Sequence, residues 1–292
     1  MDWIILSLIS AFFSAAAAIT QKKVLFKLNA LEFALLLSIF NVVFSLPILF
    51  IINTESISLL SLFVLYGKTI LGAFAFLNVM LALKNLELSD ALPMMVLTPG
   101  IVAVFAYIFL GETLTVYEIS GMIALLIGTY VLELHHKKDL LSPFKIFFTS
   151  RNHRYITTAL LLFTATSVLD KAILKDFKLE PNSFILFQHV FIAFNFSILA
   201  FFSKNVSKNK IAISFKYSWK LIALISVFTI VYRYTQIAAV KIAPVALVLS
   251  LKRISVFFAS IIGGKMFNEH YLLRKSIAII ILLAGTLLIL NS

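Results

Sequence analysis

The chain of 292 residues is 61% hydrophobic and only 13% charged, with 25 Lys and Arg against 13 Asp and Glu and a formal net charge of +12. A soluble domain carries about 25% charged residues, so a water-surrounded fold is excluded and lipid must cover what polar surface does not. The positive charge lies in short connectors between apolar runs rather than in one water-facing patch, which excludes nucleic acid as a partner, and zero cysteines exclude disulfides, thiolate metal sites and a cysteine nucleophile.

A helix needs about 20 mainly apolar residues to cross a bilayer. Ten such runs follow one another, at 3–22, 31–52, 60–83, 91–110, 115–132, 155–173, 183–202, 219–240, 243–262 and 271–290, and they predict an all-α integral membrane protein with ten transmembrane helices. In the first run, Ser7, Ala11 and Ala15 stand four apart beside a second stripe of Ser10, Ser14 and Ala18, a seam on which two helix backbones pack closely. The run ends in four alanines like a signal-peptide cleavage site, but no positive region precedes it, so it reads as a retained helix. The second, third and fourth runs offer uncharged polar groups, Asn41, Asn78, Thr98 and Tyr107, each fit either for an interhelical hydrogen bond or for a substrate.

Charge inside the membrane is concentrated in the second half. A charged side chain at mid-bilayer costs about 2.5–3.5 kcal/mol on insertion scales, so it marks function or a close partner. Asp170 and Lys171 close the sixth run, His189 lies about one and a half turns into the seventh, Arg233 is near the end of the eighth, and Lys252 and Arg253 sit at the middle of the ninth. Asp170 is expected to pair with one cation and Lys171 to snorkel to the interface. Three cations against one carboxylate leave a surplus of two, which an anion-accepting cavity, purely structural pairing or a lipid headgroup site would answer. His189 is either a packing histidine or a ligand contact. His135, His136 and His153 fall in a basic connector with no helical His-Glu partner and read as loop residues, so no metal or other cofactor is expected.

Residues 82–129 repeat at 239–286 with a constant offset of 157. Ala82-Leu83-Lys84 meets Ala239-Val240-Lys241, Gly111-Glu112 meets Asn268-Glu269, and Gly128-Thr129 meets Gly285-Thr286. The repeat divides the chain into five-helix units at 1–138 and 155–292 joined by a basic interfacial connector at 139–154. Five is odd, so the second unit enters from the opposite face and the units are inverted-topology repeats, an architecture of secondary transporters.

Ala82-Leu83-Lys84, Leu97-Thr98-Pro99, Leu110-Gly111-Glu112-Thr113-Leu114, Gly121 and Ile127-Gly128 resemble the EamA-type pattern of the drug/metabolite transporter superfamily, and the second half repeats it with Asn268 in place of glycine and Ala278 in place of Gly121. The resemblance implies a central cavity ringed by helices 1 to 4 and 6 to 9, with helices 5 and 10 outside it. Lys252-Arg253 also resembles the Lys-Arg pair with which sugar-phosphate translocators of that superfamily hold phosphate. Outside the three intramembrane cations, 17 of the 22 Lys and Arg fall after odd-numbered helices. The positive-inside rule places that face in the cytoplasm and the termini outside, whereas the resemblance implies cytoplasmic termini.

The expected function is secondary transport or exchange of a small anionic or zwitterionic metabolite by alternating access, through a site of Lys252, Arg253, Arg233, His189, Asn41, Asn78, Thr98 and Tyr107, with Asp170 and Lys171 as charge partners. The rival is a non-transporting membrane protein that binds lipid headgroups or scaffolds a partner. No HExxH, GxSxG or Walker motif is present, so no enzyme is expected. The expected location is a prokaryotic plasma membrane, the expected partners are the metabolite and membrane lipids, and the sequence leaves the oligomeric state open.

Overall fold

The computed structural model describes residues 2–85, 98–133, 151–203, 206, 208–255 and single positions between 258 and 288. Among them are nine α-helices: α1 (Trp3–Leu25), α2 (Ala30–Ser45), α3 (Leu59–Asn85), α4 (Thr98–Leu110), α5 (Val116–Glu133), α6 (Arg151–Lys175), α7 (Pro181–Phe202), α8 (Lys208–Ile242) and α9 (Val245–Lys252). The described residues contain no strand. α1, α2 with its extension to Ile51, α3, α6, α7 and α8 are each long and apolar enough to span a bilayer. The molecule is an integral, multi-pass membrane protein. The expected tenth helix lies outside the described residues apart from isolated positions, as do His135, His136, Asn268 and Glu269.

Local chemistry sets the helix ends. Asp2 caps α1 by accepting from the Ile4 amide at 3.3 Å, while Lys22 and Lys23 occupy its last turn, where cations offset the carbonyl end of the dipole. Asn29 and Glu32 form a reciprocal capping box on α2. Pro47 lacks an amide hydrogen, and the expected single helix over 31–52 instead ends at Ser45 and continues as a 3₁₀ turn, Leu46–Ile51. Pro181 opens α7 at a position whose amide would be unpaired in any case. α8 begins well before residue 219 because a helix that leaves the bilayer is not limited by its thickness; its spanning segment is Ser218–Ile242. α6 starts at Arg151, so the expected connector over 139–154 includes the first turn of a helix.

Packing joins the two halves of the chain rather than separating them. The most extensive helix pairs are α1 with α8, α3 with α6 and α2 with α7. The small-residue seam explains the first: Ser7, Ser10 and Ala11 are fully buried, and Ser10 Oγ donates to the Tyr232 carbonyl at 2.9 Å. Contacts of residue 10 with 232 and of Phe13 with Phe228 make α1 and α8 antiparallel. One apolar cluster gathers around Leu25, Phe33, Leu83 and Ile156 at the C-terminal end of α1. A second gathers around Phe184, Ile237, Val240 and Val248 near the C-terminal end of α8, at the opposite face.

Candidate functional site

Between the two clusters lies a cavity of about 260 Å³. Seven helices line it (α1, α2, α3, α6, α7, α8 and α9), together with Thr98 at the start of α4 and residues just beyond α9; α5 contributes nothing. This is the ring that the resemblance implies, as far as the described residues extend.

One carboxylate stands at its centre. Asp170 on α6 is 3% exposed; its Oδ2 lies 3.3 Å from Arg233 Nη2 on α8, and its Oδ1 lies 2.6 Å from Lys68 Nζ on α3. The Lys68 approach is a close ion pair without hydrogen-bond alignment; the hydrogen bond from that ammonium goes to Gln188 Oε1 at 2.6 Å. The same oxygen accepts from Arg233 Nη2 at 2.6 Å. Gln236 Oε1 then joins Arg233 Nη1 at 3.3 Å to Lys252 Nζ at 2.5 Å. Lys252 Nζ also sits 4.7 Å from the centre of the Tyr232 ring, whose negative face attracts a cation. Among the described residues, His189 Nε2 and Arg253 Nε are buried without a hydrogen-bond partner.

Four formal cations, Lys68, Arg233, Lys252 and Arg253, thus face the cavity with one carboxylate among the described lining residues. At about 2.5–3.5 kcal/mol each on insertion scales, a surplus of three costs roughly 7–10 kcal/mol unless water, dipoles or an anion offset it.

Of the expected site residues, Lys252, Arg253, Arg233, His189, Asn41 and Thr98 line the cavity, together with Asp170. Asn41 also accepts a 2.6 Å hydrogen bond from Ser226, so it ties α2 to α8 while it borders the space. Two expected residues lie elsewhere. Tyr107 is 64% exposed and outside the lining, because α4 turns that face away from the cavity, and Asn78 bonds back to the Phe74 carbonyl at 2.8 Å. Lys171 does not snorkel: it is buried, donating to the Val240 and Ala243 carbonyls at 2.8 Å each and lying 3.4 Å from Glu112.

This lysine belongs to a closure at one end of the bundle. Gly111 adopts a φ of +63°, a left-handed turn that suits a residue without Cβ, and it delivers Glu112 against the start of α9. There Glu112 Oε2 accepts from the Val245 amide at 3.0 Å, placing negative charge at a helix N-terminus. Lys175 and Lys241 add bonds to the Leu110 carbonyl at 3.0 Å and to Glu180 at 2.6 Å. At the opposite end Lys22 donates to the Leu83 carbonyl and Lys84 to the Leu28 carbonyl at 3.3 Å.

Residues 1–134 match the model of the EamA-like transporter family. The first 134 residues are thus similar to the EamA-like transporter family, and the match stops short of the second half of the chain. The Gly-Glu turn that carried the resemblance lies within the match, and its structural role is the closure at α9. Together with six helices long and apolar enough to span a bilayer, the match supports a membrane transporter of the drug/metabolite transporter superfamily. No curated protein matches the chain. A solved protein crystal structure is similar to 98% of this chain over 95% of its own, with a TM-score of 0.72 at 13% identity, a likeness of fold alone.

Lys68, Gln188, Gln236 and Tyr232 complete this EamA-like cavity and were not singled out by sequence. Lys68 had been counted among the surface charges, yet it is 4% exposed and stands ten residues inside α3, and that depth was its readable signal. With Lys68 and Lys171 both buried, the charge asymmetry between the two faces is larger than the sequence count gave. The glutamines carry no charge, and nothing in their spacing separates a cavity residue from a packing one.

Proposed function

We propose that this EamA-type protein is a secondary transporter or exchanger of a small anionic or zwitterionic metabolite, working by alternating access in a prokaryotic plasma membrane, with no catalytic step. The observation that carries the reading is the central cavity, lined from both halves of the chain, in which four basic side chains meet one carboxylate.

Two further observations support inverted repeats as the engine. Lys22 donates to the Leu83 carbonyl and Lys171 to the Val240 carbonyl, and 83 and 240 are partners at the 157-residue offset. The helix pairs α1–α8 and α3–α6 exchange with each other under the same correspondence. Two closures at opposite ends on corresponding carbonyls, though with donors that do not correspond, suit a carrier that releases one while it keeps the other. The substrate site itself is asymmetric, since Arg233 corresponds to Phe76 and Gln236 to Val79.

The test is a thermal-shift screen of the purified protein against organic acids, amino acids, nucleotides and sugar phosphates, followed by counterflow in proteoliposomes with each stabilising compound. Saturable counterflow lost in Lys252→Ala and Arg253→Ala is the expected result. Transport unchanged by both substitutions refutes the site.

A further inference from the structure

Among the described residues, the cavity has unoccupied donors and no unoccupied carboxylate. Lys252 Nζ has three N–H donors and a single acceptor, Gln236. Among the described residues Arg253 Nε has none, and neither has His189 Nε2, on a side chain only 2% exposed, which donates or accepts according to its tautomer. Every strong acceptor described in this network is already engaged by cations: both oxygens of Asp170 face Lys68 and Arg233, and the side-chain oxygens of Gln188 and Gln236 each receive two basic groups. Asn41 Oδ1 accepts from Ser226. An incoming carboxylate finds the free donors of Lys252 and Arg253; an incoming ammonium finds hydroxyls, an amide and the His189 ring against a surplus of formal like charge.

Beyond the charge network the wall mixes hydroxyl side chains such as Ser38, Thr166 and Thr229 with one continuous apolar stretch. That stretch is made by Leu37 of α2, Phe76, Val79, Met80 and Leu83 of α3 and Phe196 of α7, and Phe76 and Phe196 meet edge to face with centroids 6.1 Å apart. A volume of about 260 Å³ falls just below the usual ligand-pocket range of about 300–1,000 Å³, so the occupant is small.

We infer that the ligand is a monocarboxylic acid with an apolar body and no ammonium group, such as a branched or aromatic 2-oxo or 2-hydroxy acid, and not the amino acid of the same skeleton. This rests on the transport reading for its biological sense but on the donor and acceptor inventory for its chemistry. Lys252 and Arg253 hold the carboxylate, and the Phe76 and Phe196 wall takes the body.

Binding to the purified full-length protein tests it, with matched probes: 4-methyl-2-oxopentanoate against leucine, phenylpyruvate against phenylalanine, and pyruvate and glucose 6-phosphate as controls. The two apolar oxo acids are expected to bind at least tenfold tighter than their amino acids and than either control, and to lose at least tenfold in Lys252→Ala and in Arg253→Ala. Amino acids that bind as well as the oxo acids, controls that match them, or no binding by either acid would overturn the inference. Counterflow separates the two claims. Counterflow of another compound without acid binding refutes the ligand class and leaves transport standing, whereas acid binding without counterflow of any bound compound refutes transport and leaves the ligand class.

Discussion

Asp170→Asn is the most informative perturbation of the charge network. The carboxylate is 2.6 Å from Lys68 and 3.3 Å from Arg233, and no other carboxylate among the described residues lines the cavity. The amide retains the shape and one acceptor oxygen but removes the only negative charge, leaving two buried cations opposed to each other. Breaking a buried pair from one side costs about 3–5 kcal/mol because the orphaned charge stays in place, and the expected loss lies in that range. Removing the orphan as well should recover most of it, so the double variant Lys68→Met with Asp170→Asn is expected to be more stable than Asp170→Asn alone, by about 2 kcal/mol or more. Equilibrium unfolding in mixed micelles measures both variants. An Asp170→Asn protein within about 1 kcal/mol of wild type, or a double variant weaker than the single one, would show that Asp170 does not hold these cations and would refute the network as described.

Other substitutions probe the frame around the cavity. Glu112→Ala removes both the acceptor for the Val245 amide and the partner of Lys171; a loss of about 2–4 kcal/mol in the same unfolding assay is expected, and Glu112→Gln should retain part of the cap. A Cβ on Gly285 would lie 2.9 Å from both the Gly121 carbonyl oxygen and the Leu125 amide nitrogen, and since backbone cannot yield as a side chain does, Gly285→Val is expected to cost about 1–3 kcal/mol or to lower the folded yield. Because the chain has no native cysteine, single cysteines report topology directly. By the positive-inside rule, Lys27→Cys should be protected from an impermeant maleimide in intact cells and Asp176→Cys labelled. The reverse pattern would place the charge-rich face outside.

The sequence by itself determined the membrane class, because hydropathy is a property of composition and a bilayer demands runs of fixed length. It also determined most helix positions, and it singled out the Gly-Glu turn and the midplane cations, since charge at that depth is costly enough to be legible in one dimension. Only the tertiary structure decided what those groups face. Lys171 is a buried clasp although its place near the end of α6 suggests snorkelling, and Lys68 is a cavity cation whose depth in α3 fits that place but does not say which neighbour it meets. Tyr107 and Asn78 are as polar as Thr98 and Asn41, yet only the latter two reach the cavity, because that depends on helix rotation, which packing fixes. Nor does the sequence reveal that Gln188 and Gln236 each bridge two cations. A neutral amide carries no long-range signal, and its role exists only where α3, α7, α8 and α9 bring their donors within about 3 Å of a single oxygen.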